Sequence, residues 1–245
     1  MAKRMVRGGL GTALLLIVVG GLVVLSYMGF VPGLSDALGT SRGRDLGVRP
    51  GAADLASARA KLGHGQIEIA GTADANGSLR FEGSHPVDAA FTSEEFTALQ
   101  QARRYKHDPL YADQTQVKFN PDGTVETSGR IRKGNLEKYA EAIGIPRSQI
   151  AQIKEIADKF PADPTFYAKG TVVVTGGQVT TTVTSLEIAH VPVPADQINQ
   201  ATGPAEQLAE QVISLTPGLS VEEFSVVDGR AHFKGTYPDK VYVAQ

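Results

Sequence analysis

Asp228-Gly-Arg-Ala-His-Phe-Lys-Gly-Thr-Tyr-Pro238 aligns position for position with Asn76-Gly-Ser-Leu-Arg-Phe-Glu-Gly-Ser-His-Pro86. Each stretch opens on a dipeptide whose glycine supplies the positive φ of a tight hairpin turn, and then alternates in strand fashion. Asp122-Gly-Thr-Val-Glu-Thr-Ser-Gly129 repeats the pattern, and Gly176-Gly-Gln-Val-Thr-Thr-Thr-Val183 repeats it more loosely. The turn glycines Gly77, Gly123, Gly177 and Gly229 therefore recur about every 50 residues. A strand-like run precedes each turn: Gln66–Ala70, Thr115–Phe119, Phe166–Val174 and Leu219–Val227. The reading is four hairpins, with turns at 76–77, 122–123, 176–177 and 228–229.

Helical spacing fills the intervals. Thr92-Ser-Glu-Glu95 is a capping box that leads into Phe96, Leu99 and Ala102 on one stripe. Leu136–Ile143 forms a short helix, and Pro146 opens another that carries Ile150 and Ile153. Pro194 opens a third helical region, broken near Gly203-Pro204 and resumed through Leu208 and Val212. Hairpins alternating with helices predict an α+β fold: a curved antiparallel sheet of about four β-hairpins with helices packed on one face. In Gln178–His190 the apolar parity switches from Val179 and Val183 to Leu186 and Ile188, which predicts a bulge near Thr184-Ser185.

Upstream, Leu10 to Val31 is an apolar run of about 22 residues, able to span about 33 Å as a helix and so to cross a bilayer. Tyr27 and Phe30 suit its far interface, and Pro32-Gly33 ends it. Lys3, Arg4 and Arg7 place the N-terminus in the cytoplasm. The expected organisation is a cytoplasmic tail over 1–9, a transmembrane helix over 10–31, a flexible tether over 32–65 and an exported α+β domain over 66–245.

Composition removes several function classes. With 24 basic and 26 acidic side chains the net charge is −2, which gives no electrostatic basis for nucleic-acid binding. The absence of cysteine excludes thiol catalysis, zinc–thiolate sites and disulfides. Gly39-Thr-Ser-Arg-Gly43 matches a serine-hydrolase pattern but lacks the strand and helix that would strain it. The five histidines have no ligand spacing, and Asn120-Pro-Asp-Gly123 and Asp74-Ala-Asn-Gly77 lack the rest of a calcium loop. No catalytic residue, cofactor or metal site is assigned.

Two binding features remain. Ile153, Phe160, Val172, Val174 and Val183 are the expected lining of an apolar groove between sheet and helices. Arg103, Arg104 and Lys106, together with Arg130, Arg132 and Lys133, form basic clusters suited to an anionic surface.

Thr92–Leu99, Val117-Lys-Phe-Asn-Pro-Asp-Gly-Thr-Val-Glu-Thr-Ser-Gly129 and Ser185-Leu-Glu-Ile-Ala-His-Val-Pro-Val-Pro194 resemble segments of bacterial proteins with one N-terminal span and an exported β-rich domain. That domain is similar to tubular lipid-binding folds, so the resemblance implies an extracytoplasmic domain and a lipid ligand. The expected function is a membrane-anchored binding module for a lipid or other apolar molecule, bilayer-bound through residues 10–31. The alternatives are an assembly protein of a cell-envelope complex, using strand edges or the span, and an enzyme acting on envelope polymer.

Overall fold

The computed structural model describes residues 41–63, 65–69, 78–158 and 162–244. The expected span over 10–31 and the first turn at 76–77 lie outside them. Among the described residues no helix is long and apolar enough to cross a membrane. The fold is α+β, with mostly antiparallel strands.

Three of the expected turns each join a pair of strands. Strand β4 (Gln116–Phe119) turns at Asp122-Gly123 into β5 (Val125–Arg130). Strand β6 (Thr165–Thr175) turns at Gly176-Gly177, both with positive φ, into β7 (Gln178–Ile188). Strand β9 (Ser220–Val227) turns at Asp228-Gly229, again both positive, into β10 (Arg230–Tyr237). These hairpins share one sheet with β3 (His85–Phe91), which pairs with β10, and β8 (Val191–Pro192), which pairs with β7. Strand β6 is its spine. One edge carries β7 along its length, while the other carries β5 on residues 165–170 and then β9 on 174–175.

The first hairpin is a correction. Strands β1 (Gly65–Ile69) and β2 (Leu79–Glu82) do not pair with each other. A C-terminal strand, β11 (Lys240–Ala244), lies between them, parallel to β1 and antiparallel to β2. Its alternation explains the insertion: Val241 and Val243 are buried opposite Phe81 and Leu79, while Tyr242 faces outward under the Arg80 guanidinium. This small sheet is thus apolar on one face and polar on the other. Two short links, Gly83-Ser84 and Pro238-Asp239, connect β2 to β3 and β10 to β11.

The segment expected to be a tether belongs to the domain from residue 43 onward. Leu46 and Val48 are buried with Tyr167, the backbone of Leu46 donates to Gln116 Oε1, and Arg44 lies 3.8 Å over the Tyr167 ring while reaching Glu187. Helix α1 (Ala52–Leu62) follows and packs on α2 (Ser93–Gln101). Thr92 and Glu95 make the capping box as expected. Glu95 also accepts hydrogen bonds from Lys61 and Ser57, so one carboxylate both caps α2 and ties it to α1. Burial alone would raise its pKa, but these donors outweigh it and hold the carboxyl below its ordinary range.

Helices α3 (Lys133–Ala142) and α4 (Arg147–Asp158) pack together around Ala140, Ile143, Ile145 and Ile150. Helix α5 runs unbroken from Ala195 to Leu215 through Pro204, where a break was expected. A proline inside a helix costs about 3 kcal/mol, which tertiary contact can offset. Here Glu206 accepts from Thr181 and Glu210 accepts from the Val179 amide, so α5 is bound to β7 along the turns that follow the proline.

Those carboxylates satisfy amides along the outer edge of β7. At β4, Thr97 Oγ1 bonds both the carbonyl and the amide of Val117, and Ser93 Oγ accepts from the Phe119 amide. Helices thereby occupy two strand edges that would otherwise invite pairing with another chain.

The bulge falls where the change of parity places it. Lys169 pairs with Ser185 but Gly170 pairs with Val183, leaving Thr184 as the extra residue. A Cβ on Gly170 would collide with the carbonyl oxygen of Thr182. Gly170→Ala is therefore expected to lower the unfolding free energy in urea by about 2–3 kcal/mol. Gly203→Ala, in open space within α5, is the control and should be neutral or stabilising. Equal effects would refute this account of the bulge.

His85 fastens three elements together. Its ring nitrogens lie 2.7 Å from Asp239 Oδ1 and 2.7 Å from the carbonyl of Leu62, at the end of α1. Both partners are acceptors, so only the protonated ring donates to both, and its pKa is raised above 6.5 by Asp239 first and the carbonyl second. A raised folded pKa gives stability that is complete below 6.5 and lost as pH rises through the folded value. The melting temperature should fall as the pH rises above 6.5 and through the raised folded value, and His85→Gln should flatten that slope. An unchanged slope in the variant would exclude His85 as its source.

Candidate functional site

The inner face of the small sheet does not close on the large one. Leu79 and Phe81 on β2, with Val241 and Val243 on β11, form one wall of a cavity of about 420 Å³. Phe91 on β3, Phe233 and Tyr237 on β10, and Phe224 on β9 form the opposite wall. Phe224 and Phe233 are direct cross-strand partners. Helices complete the enclosure through Leu62 of α1, Phe96 and Leu99 of α2, Tyr139 of α3 and Val212 of α5, with Thr216 just beyond its end.

Eight of the chain's sixteen Phe and Tyr residues line this space. Buried Tyr105 is one of them, its hydroxyl 2.7 Å from Ser78 Oγ and its ring tilted against Tyr139. Burial pushes the hydroxyls of Tyr105 and Tyr237 above their ordinary pKa, so both stay neutral donors. The charged lining consists of Arg59 and Arg103, with no carboxylate. Arg59 is exposed and marks where the cavity meets solvent. Arg103 Nε lies 2.8 Å from Asp108, whose side chain is 4% exposed.

The magnitude is informative. Protein interiors hold few voids larger than a water molecule. At ~24 cal/mol per Å³, a dry closed void of 420 Å³ would cost on the order of 10 kcal/mol, as much as a whole domain's stability. This cavity opens to solvent beside Arg59, so water can fill it, and its size is that of a site for a small apolar molecule.

The sequence-derived groove lies elsewhere. Val172, Val174 and Val183 stand on the β6–β7 hairpin and do not line the cavity. The side chain of Ile153 and all of Phe160 lie outside the described residues. The basic residues are also dispersed among local partners. Arg103 belongs to the cavity wall, Arg130 and Arg132 stack over Tyr111, and the Lys133 amide donates to Asp163. Arg104 is exposed, Lys106 is half-buried, and both carry contacts of their own. Among the described residues no group of His, Asp and Glu could hold a metal ion. The actual lining was reachable from one signal: a turn at 228–229 makes Phe224 and Phe233 face each other.

Comparison with family models, curated proteins and solved structures finds no match to this chain.

Proposed function

We propose that the domain is a binding module that holds an apolar ligand in the cavity between its two sheets. The cavity of about 420 Å³ with eight aromatic side chains in its wall carries this reading. No histidine, carboxylate, serine or cysteine lines it, which favours holding a molecule over transforming it. The apolar run over 10–31 supports the rest: a single N-terminal transmembrane helix displaying the domain on the outer face of the membrane. Lipid is the leading ligand class, since it partitions into such a site from the adjacent bilayer. The helix side chains along β4 and β7 count against an envelope-assembly role through those edges.

The chain from residue 36 onward, purified without detergent, tests the reading by native mass spectrometry. A bound small molecule, released on denaturation and identified as apolar, is the expected result. A bare mass together with no uptake of an environment-sensitive apolar dye would overturn it.

A further inference from the structure

We propose that the cavity's occupant is a long-chain anion whose head group pairs with Arg59 at the mouth. The inference rests on the binding reading above and specifies its ligand. Charge along the wall has one sign, two arginines and no acid. Arg103 is already committed to Asp108 and Gln100. The Arg59 guanidinium has no hydrogen-bond or ion-pair partner among the described residues, although its neighbour Lys61 is tied to Glu95. An arginine beside an apolar lining keeps its hydration only while the mouth is empty. An apolar chain entering there displaces that water, and an anionic head on the chain replaces it with charge-assisted hydrogen bonds. A neutral head compensates less, with no ion pair, and a cationic head repels the guanidinium. Arg59 is thus a specificity determinant: the aromatic wall binds the chain, and the guanidinium selects the head. Both a fatty acid carboxylate and a lipid phosphate satisfy this chemistry.

Photo-crosslinking on the full chain in phosphatidylcholine vesicles tests it, using a trace of diazirine-bearing palmitate and mapping the labelled peptides. Labelling should fall on cavity residues such as Phe91, Leu99 and Phe233. Palmitate should compete at least about tenfold better than hexadecanol or hexadecylamine, the size of one charge-assisted hydrogen bond. Competition by lysophosphatidate better than palmitate assigns the head as a phosphate, and the reverse assigns a carboxylate. Arg59→Gln, at an exposed position that leaves the core intact, should retain the label and lose the preference. Equal competition by acid, alcohol and amine in the unaltered chain overturns the proposal while leaving the binding reading in place. A preference that survives Arg59→Gln overturns the role of Arg59. No label in the cavity from any probe overturns the binding reading itself.

Discussion

Ending the chain at Asp239 is expected to abolish folding of the domain, although only residues 240–245 are removed. Strand β11 is the centre of the small sheet, so its loss leaves β1 and β2 without the partner each has. Val243 is 1% exposed, Val241 and Ala244 are also buried, and each fully buried valine contributes roughly 1.5–3 kcal/mol. The backbone of Ala244 also receives a hydrogen bond from the Lys106 amide and gives one to the carbonyl of Ser78. With the ladders to β1 and β2 lost as well, these losses are comparable to the lower part of a typical net stability of about 5–15 kcal/mol. Circular dichroism and proteolysis of the truncated chain check this. A cooperative melt within a few degrees of the full chain would show that the small sheet is dispensable.

Leu99→Trp should abolish ligand uptake without unfolding the protein. Leu99 lies on α2, half-buried, and projects into the cavity beside Phe91 and Leu62. An indole there enters space that the fold leaves open, rather than the close-packed core where added volume typically costs about 1–3 kcal/mol. The melting temperature should hold or rise, while affinity for an apolar dye or lipid falls on the order of a hundredfold, because the ring removes the volume itself. Unchanged affinity would place the ligand outside the cavity. The same change distinguishes the cavity from the β6–β7 face, where Val172→Trp should leave binding intact.

The parts of this fold that were legible are those fixed by neighbouring residues. Gly176-Gly177 and Asp228-Gly229 announce their turns because few other residues tolerate consecutive positive φ. Thr92 and Glu95 announce a helix start, and the parity switch before Leu186 announces the bulge. The small sheet was not legible, because nothing near Gln66–Ala70 says that its partner is Lys240–Ala244 rather than Leu79–Glu82. Alternation fixes which side of a strand is apolar but leaves the neighbour open. For the same reason the residues expected to line an apolar groove are not those that line this cavity. Val172, Val174 and Val183 have the pattern of a buried face, as do Phe91, Phe224 and Phe233, and only the packing of a second sheet distinguishes filled faces from open ones. The continuous course of α5 through Pro204 likewise depends on Glu206 and Glu210 reaching β7.

The pairing of Gly65 with Lys240 joins points 175 residues apart in the chain. Loop-closure entropy makes such a contact slow to form directly. The two short links change that cost. Once His85 and Tyr237 have met at the end of the β3–β10 pair, the open loop between Gly65 and Lys240 shrinks to roughly 20 residues, which removes about 2 kcal/mol of closure entropy. Strand β11 then joins a ring already nearly closed, and the cavity takes shape only at that step. Until residue 244 has been made, the chain has a large sheet to fold but no second wall for the cavity. For this topology the cavity is therefore the last part of the described fold to close.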